Sequence, residues 1–165
     1  MDQWKHGVKN MNKYVLSVDP GKATGVALLH LAKDEEPKII FSGEAQPEEF
    51  AGVIRNILKD FTEDYSALTV VCEKFTINAQ TVRNSQAPYS LEQIGALKQI
   101  LQDFGIDRDS IVWQMPVDAK KMFPNETLKT LEIWHKGGEG HANDALRHAL
   151  LRLVKGGWIP RKLLQ

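Results

Sequence analysis

The order of two hydrophobic patterns along the chain constrains the fold more than any other feature. Three apolar, β-branched runs come first, at 14–19, 23–32 and 38–42, with only short turn-like segments between them. Connections this short join antiparallel strands. The second half alternates between strand-like and helix-like segments, which indicates parallel strands linked by right-handed crossovers. The chain is therefore predicted to form an α/β fold, with one mixed sheet and helices on both faces.

The alternating part gives the remaining predicted elements. Apolar residues at helical spacing and short continuous apolar runs predict helices over 47–61, 90–104 and 142–154, and strands over 68–72 and 111–115. Ser90 and Gln93 have the spacing of a capping box, so we expect the second of these helices to begin at Ser90.

Length and composition favour a single domain. The chain has 165 residues, of which 42% are hydrophobic and 25% charged, enough to bury one core without disulfide or metal staples. Its one cysteine, Cys72, excludes an intrachain disulfide framework and a cysteine-based zinc site. We expect a domain over 13–158, a flexible N-terminal tail over 1–12 and a C-terminal tail over 159–165.

Hydropathy gives an expectation for location. No apolar run in the sequence approaches the roughly 18–20 residues of a membrane span. The first twelve residues are polar and lack the apolar core of a secretory signal. We expect a cytoplasmic protein with no membrane partner.

The distribution of charge leaves two interpretations open. The formal net charge is zero, which is unusual for a nucleic-acid-binding domain. Acidic side chains outnumber basic ones in 1–115, and the reverse holds in 116–165. The difference is either chance or a basic C-terminal face for an anionic partner.

Carboxylates stand at the ends of two predicted strands and near the start of a helix. Asp19 precedes Pro20-Gly21, where a turn-forming role would also explain it. Glu73 follows the apolar run 68–72, and a carboxylate buried there needs a cation, a metal or solvent. Asp144 lies beside the apolar face of the last helix, with His141 one turn earlier on the same side. That pair is compatible with a shared metal, a helix cap or two solvated side chains.

The three carboxylates together indicate a more specific chemistry. Oxygen-rich ligand sets suit Mg²⁺ or Mn²⁺, and few ligands need come from the protein because waters and phosphates complete the shell. Three carboxylates at one sheet edge are sufficient for two such ions. Two-metal sites of this kind hydrolyse phosphodiesters.

Three short motifs resemble those of the RuvC-type Holliday junction resolvases. They are Val-Asp-Pro-Gly at 18–21 followed by Thr-Gly-Val-Ala at 24–27, Val-Val-Cys-Glu at 70–73 followed by Phe75, and His-Ala-Asn-Asp-Ala at 141–145. The resemblance covers roughly residues 14–155. Their order and their placement on strand, strand and helix are jointly specific.

The resemblance implies a fold, an activity and a metal site. The fold is RNase H-like, a five-stranded mixed sheet whose first three strands are antiparallel. The activity is a metal-dependent endonuclease that works as a homodimer on four-way DNA junctions, with two Mg²⁺ expected per site and Mn²⁺ as an alternative. The implied ligands are Asp19, Glu73, His141 and Asp144. Many family members carry Asp where this chain has His141, whose other implied role is general base for the attacking water.

The resemblance also implies DNA contacts. The polar stretch 74–89 is long for a loop in a compact domain, which favours a substrate-contacting role over a disordered excursion. The DNA-binding residues that the resemblance implies are Phe75, Lys120 and Lys121. Lys74 and Arg83 are expected to contact phosphates because they are cationic and lie in this stretch. Core packing is the alternative for Phe75, and a solvated helix face is the alternative for the two adjacent lysines.

Other residues receive weaker interpretations. Gln93, Gly95 and Ala96 resemble part of the family's dimer helix. His148, one turn after Asp144, is interpreted as a surface residue, with contact to the metal ligands as the alternative, and Trp113 is interpreted as core.

The chain also departs from the family pattern. The glycine-rich basic segment before the last motif is reduced to 136–140 and has acidic neighbours. With a neutral net charge, this leaves both strict four-way selectivity and relaxed cutting of other branched DNA open. Two alternatives are retained: an RNase H-like nuclease for RNA or other DNA structures, and a non-catalytic junction-binding module.

Overall fold

Five strands form one mixed sheet in the computed structural model, which describes residues 12–61, 63–84 and 87–165. In chain order they are β1 Lys13–Asp19, β2 Thr24–Leu31, β3 Lys38–Ala45, β4 Leu68–Glu73 and β5 Val112–Gln114. The order across the sheet is β3-β2-β1-β4-β5. The β1–β2 and β2–β3 pairs are antiparallel, whereas β1–β4 and β4–β5 are parallel. The mixed sheet predicted from the sequence is confirmed.

Helices cover both faces of the sheet. They are α1 Phe50–Asp60, α2 Ala79–Arg83, α3 Ala87–Asp103, α4 Pro116–Met122, α5 Asn125–Thr130 and α6 His141–Lys155. Successive residues of a strand point to opposite faces. Leu16 of β1 accordingly belongs to the core on the α1–α3 side, and Val15 to the core on the α4–α6 side. The site described below lies where these two layers meet the edge of the sheet.

The parallel register of β1 and β4 brings two predicted carboxylates together. Val18 is paired with Cys72, so both strands end at the same level. Asp19 and Glu73 are the final residues of these strands. Because parallel strands present their carboxyl ends at one edge, the two acidic side chains lie at the same edge of the sheet.

A glycine in β2 lets α6 approach this edge. Gly25 is paired with Asp19, and a Cβ at Gly25 would overlap the backbone carbonyl oxygen of His141, the first residue of α6. Glycine is needed here for close backbone approach. The Thr-Gly-Val-Ala motif therefore has a direct structural reason.

The structure corrects the predicted start of the second long helix. The helix α3 begins at Ala87, and Ser90 lies within it, buried, with its hydroxyl donating to the carbonyl oxygen of Pro20 at 3.1 Å. The capping-box interpretation of Ser90 is therefore wrong. A capping box occurs instead at Asn78 and Thr81, at the start of α2. The stretch 74–89 is thus partly helical.

Trp113 is also placed differently from the prediction. It is 40% exposed on the short edge strand β5, with the Lys98 ammonium 5.6 Å from its ring centroid. The strand has three residues and lies at the edge of the sheet, so the ring is only partly covered, which the apolar character of the run does not reveal.

The predicted tails are only partly described. The N-terminal tail 1–12 lies outside the described residues except for Asn12. The segment 159–165 contains a 3₁₀ turn at Arg161–Leu163, and Lys162 pairs with Glu132 at 3.3 Å. Across the described ranges, none of the helices combines the length and hydropathy that a membrane crossing requires.

Candidate metal centre

Three of the four predicted ligands converge at the sheet edge. Asp19 is 6% exposed at the end of β1, and its Oδ2 lies 3.2 Å from His141 Nδ1. Ligand atoms of Asp19, His141 and Asp144 all lie within 4.8 Å of one another. His141 and Asp144 are one turn apart on α6, so a single helix carries both to the strand end.

The electrostatics of Asp19 favour a cation at this position. Burial raises the pKa of Asp19 to about 6; the hydrogen bond with His141 opposes the rise, and the charges of Glu73 and Asp144 add to it. A carboxylate that is costly to ionise among like charges is stabilised by a bound cation. Three carboxylates and an imidazole provide the mainly oxygen donor set that suits Mg²⁺ or Mn²⁺. The residues present therefore fit the implied metal.

The surroundings of His141 favour its charged form, whereas those of Asp19 disfavour its charged form. Its hydrogen bond with Asp19 raises the pKa of His141 to about 8, against the effect of partial burial, with further support from the charges of Asp19, Glu44 and Asp144. The imidazole is therefore mainly protonated at neutral pH in the metal-free protein. Metal binding at this ring requires release of that proton.

Glu73, the fourth predicted ligand, lines the same cleft but lies outside the 4.8 Å group. Its Oε2 accepts a hydrogen bond from His148 Nε2 at 2.8 Å. His148 is only 1% exposed, so the interpretation of His148 as a surface residue is wrong. The helix is buried on nearly all sides from Ala145 to Leu151, because it packs against both the sheet and α4.

Asp144 has its own charged partners. Arg147 Nη1 donates to Asp144 Oδ1 at 2.6 Å, and Lys120 Nζ lies 3.8 Å from Oδ2. The Arg147 side chain is buried, and it also donates to the carbonyl oxygen of Phe123 at 2.8 Å and to Asn125 Oδ1. Arg147 thus ties Asp144 to the junction of α4 and α5.

Glu44 organises the backbone that leads into α6. Its carboxylate accepts hydrogen bonds from the backbone N–H groups of Glu139 and His141, both at 2.9 Å. Burial raises the pKa of Glu44, but these donors outweigh that effect and hold the pKa below its usual value. Gly140, between them, has a φ of 94°. Sequence reasoning missed Glu44 because it lies 97 residues before His141.

The cleft over the carboxylates is lined by some of the predicted DNA contacts. Lys74, Phe75 and Lys120 line it, and Phe75 is partly buried. Arg83, in the last turn of α2, and Lys121, on α4, are exposed but do not line the cleft.

Known structures resemble this chain, whereas known sequences do not. Neither the protein-family models nor the curated protein sequences give a significant match. Among solved structures, T. thermophilus RuvC in complex with a Holliday junction substrate superposes with a TM-score of 0.65 at 15% identity, covering 87% of this chain and 96% of that one. A second Thermus thermophilus RuvC structure gives 0.64 at 15% identity, with 87% and 95% covered.

A third solved structure is more distant. The yeast mitochondrial Holliday junction resolvase Ydc2 matches with a TM-score of 0.35 at 13% identity, covering 89% of this chain and 70% of that one. The two Thermus structures establish the fold: this chain has the RNase H-like fold of RuvC. The fold predicted from the sequence motifs is confirmed.

Proposed function

We propose that this chain is a metal-dependent, structure-selective endonuclease that resolves four-way DNA junctions by paired phosphodiester hydrolysis. The observation that carries the proposal is the convergence of Asp19, His141 and Asp144 within 4.8 Å, in an open cleft that also contains Glu73. Similarity to RuvC, one structure of which is a complex with a Holliday junction substrate, supports the choice of substrate.

The residues that would hold divalent metal ions are Asp19, Glu73, His141 and Asp144. When bound, two such ions activate a water for in-line attack on phosphorus and stabilise the leaving oxygen. Asp19 is central, because it is the most buried of the three carboxylates and experiences the charges of the other two.

Cationic and aromatic side chains around the carboxylates would position the DNA. Lys120, 3.8 Å from Asp144, and Lys74 lie where a phosphate backbone would cross the cleft. Phe75 provides a ring for stacking on an unpaired base, an interaction worth about 1–3 kcal/mol. Arg83 and Lys121, outside the cleft lining, would contact the flanking arms.

His141 is proposed as a metal ligand, on the basis of its place in the 4.8 Å group. The substitution His141→Asp separates this role from the alternative one, general base for the attacking water. A carboxylate retains ligation, so His141→Asp should bind Mn²⁺ and cleave. Loss of cleavage with unchanged Mn²⁺ affinity in His141→Asp would instead assign the base role.

A homodimer is part of the proposal, because one two-fold axis presents two sites to two strands. Of the three α3 residues that resemble the dimer helix, Gly95 has open space around its Cβ position, whereas Gln93 is buried and Ala96 packs on the core. The neighbouring Leu91 is 48% exposed. In sedimentation experiments, Leu91→Glu should shift the protein from dimer to monomer. A wild-type protein that sediments as a monomer would contradict the proposed homodimer.

Three further parts of the proposal concern selectivity, limits and location. The neutral charge and the short segment 136–140 support cleavage of other branched DNA besides four-way junctions.

The domain limits 13–158 and a cytoplasmic location are retained as proposals. A fragment spanning 13–158 that binds Mn²⁺ like the full chain would support the limits, and cell fractionation tests the location.

A cleavage panel tests the function. Labelled four-way junction, three-way junction, linear duplex and RNA–DNA hybrid are each incubated with Mg²⁺, Mn²⁺ or EDTA, using wild type and Asp19→Asn. The proposal predicts symmetric nicks in the four-way junction, weaker cutting of the three-way junction, and none in EDTA or with Asp19→Asn. Preferred cutting of the hybrid indicates the RNA-directed alternative. Tight junction binding without cleavage of any substrate indicates the non-catalytic module.

A further inference from the structure

One helix bonds to all three carboxylates of the site. His141 lies against Asp19 Oδ2, Arg147 donates to Asp144 Oδ1, and His148 donates to Glu73 Oε2. For Asp19 and Glu73, a nitrogen of α6 lies against one carboxylate oxygen and leaves the other available, whereas the second oxygen of Asp144 lies 3.8 Å from Lys120 Nζ. Because a carboxylate with one oxygen fixed has restricted rotation, α6 controls the direction of the remaining oxygen.

The bond to Glu73 is the most deeply enclosed of these. His148 and Gln114 are 1% and 3% exposed, and His148 Nδ1 lies 2.9 Å from Gln114 Oε1. A carboxylate only accepts hydrogen bonds, so His148 Nε2 must carry the proton in this contact. His148 is therefore braced on one side by β5 and donates on the other side to the end of β4.

The amide of Gln114 can complete this arrangement. Its Nε2 is buried without a hydrogen-bond partner in the described structure. A half-turn of the amide would exchange Oε1 for this nitrogen as the partner of His148 Nδ1, which leaves the single proton of a neutral imidazole on Nε2. Both amide orientations leave His148 donating to Glu73.

We propose that His148 is a positioning residue: its Nε2–H holds Glu73 Oε2 so that Oε1 is presented to the metal in the cleft. The inference rests on the proposed metal-dependent function. It accounts for a histidine enclosed in the core beside the catalytic carboxylates, and for the polar Gln114 buried behind it. Without this donor, the Glu73 side chain is free to turn away from the metal.

The test measures metal binding to the full-length protein without DNA. Mn²⁺ is titrated into wild type, His148→Leu and His148→Gln, and free Mn²⁺ is followed by electron paramagnetic resonance. Loss of an outer-shell partner typically weakens metal affinity by about 10–100-fold, the drop expected for His148→Leu. His148→Gln keeps an N–H donor and should retain most of the affinity.

A matched control removes a histidine elsewhere. His30, on β2, stacks on Tyr14 with ring centroids 4.5 Å apart, and Tyr14 lies near the start of β1, whereas the site is at its end. His30→Leu is the same substitution on a strand, at the end of the sheet away from the site, and it should leave Mn²⁺ affinity unchanged. An equal loss in His30→Leu and His148→Leu would contradict the proposal.

A double-mutant cycle with Glu73→Gln separates positioning from general core packing. If His148 acts through Glu73, His148→Leu should cost little further affinity once Glu73 has been replaced. An additive loss, or no rescue by His148→Gln, would overturn the positioning role even if His148→Leu is destabilised.

The outcome is distinguishable from failure of the proposed function. Mn²⁺ affinities that follow the expected pattern, in a protein that cleaves no junction, support the positioning role and reject the nuclease. Junction cleavage and Mn²⁺ affinity that His148→Leu leaves unchanged reject the positioning role and support the nuclease.

Discussion

Asp19 at the strand edge and Asp144 on α6 belong to one site but have opposite electrostatic surroundings. Asp19 is buried next to Glu73 and Asp144, and its pKa is raised to about 6 by burial and by these like charges despite its hydrogen bond to His141. Asp144 is bonded to the Arg147 guanidinium and lies near Lys120. The strand edge thus concentrates negative charge that a metal would offset, whereas α6 supplies its own counter-charges. The two carboxylates should therefore respond oppositely to the same substitution.

The largest expected effect is on the helix side. Asp144→Asn leaves the Arg147 guanidinium, 7% exposed, without its carboxylate. Breaking a buried pair by removing one partner costs about 3 kcal/mol or more, so the free energy of unfolding in EDTA should fall by that order. Urea denaturation measures it. The double variant with Arg147→Met should recover much of the loss, and equal stability of Asp144→Asn and wild type would contradict the ion-pair role.

The next largest effect is expected at the contact between β2 and α6. Gly25→Ala places a Cβ on the backbone carbonyl of His141, so α6 must move or β2 must distort. Overpacking of this kind costs about 1–3 kcal/mol, and the displaced ligands should weaken Mn²⁺ binding. Gly52 on α1 has nothing within 4 Å of its Cβ position, so Gly52→Ala should instead be slightly stabilising. Similar behaviour of the two variants would argue against a close approach at Gly25.

At the strand edge, the change in unfolding free energy is expected to have the opposite sign. Asp19→Asn removes a carboxylate whose ionisation is disfavoured in the fold, and it should raise the unfolding free energy in EDTA at pH 8. A pKa rise from 3.8 to about 6 corresponds to about 3 kcal/mol, and the weaker bond of an amide to His141 should reduce the gain to about 2 kcal/mol. Metal-dependent cleavage should be lost in the same variant. Destabilisation of Asp19→Asn in the metal-free protein would contradict this account.

The smallest effect is on the pH dependence of stability. Both Asp19 and His141 have pKa values raised in the folded protein, to about 6 and about 8. Each therefore contributes stability at low pH that is lost as the pH rises through its folded value. The metal-free protein should lose about 1 kcal/mol between pH 6 and pH 8, a figure reduced because His141 is partly exposed. Denaturation in EDTA across this range checks the slope.

Metal should reverse that trend. Ligands must be deprotonated to bind a cation, so stabilisation by Mg²⁺ should grow as the pH rises from 6 to 8. A metal-free profile that rises with pH, or Mg²⁺ stabilisation that falls with it, would show that Asp19 and His141 do not titrate together as the site requires.

The meeting of the predicted ligands at one edge of the sheet follows from local sequence patterns, whereas the residues that contact those ligands do not. Asp19 and Glu73 end apolar runs, and parallel strands bring such ends together whatever the remaining structure is. His141 and Asp144 share a helix side at a fixed spacing. These are local patterns, and the sheet arrangement they implied is confirmed.

The missed residues depend on contacts that are distant in sequence. His148 was assigned to the surface because one turn of sequence does not reveal that α6 is enclosed by both the sheet and α4. Glu44 reaches His141 only because β3 and β2 lie beside β1 in the sheet. Trp113 and Ser90 were misassigned for related reasons: an edge strand exposes one, and a contact with Pro20 buries the other.

The central claim is tested most directly with a supercoiled plasmid that extrudes a cruciform. Paired cleavage across the cruciform gives linear DNA, whereas unpaired nicking gives open circles. Wild type in Mg²⁺ should produce linear plasmid, and EDTA or Asp19→Asn should abolish the product. Open circles formed equally from a plasmid without the cruciform, or linear product that survives in Asp19→Asn, would contradict a metal-dependent junction resolvase centred on Asp19.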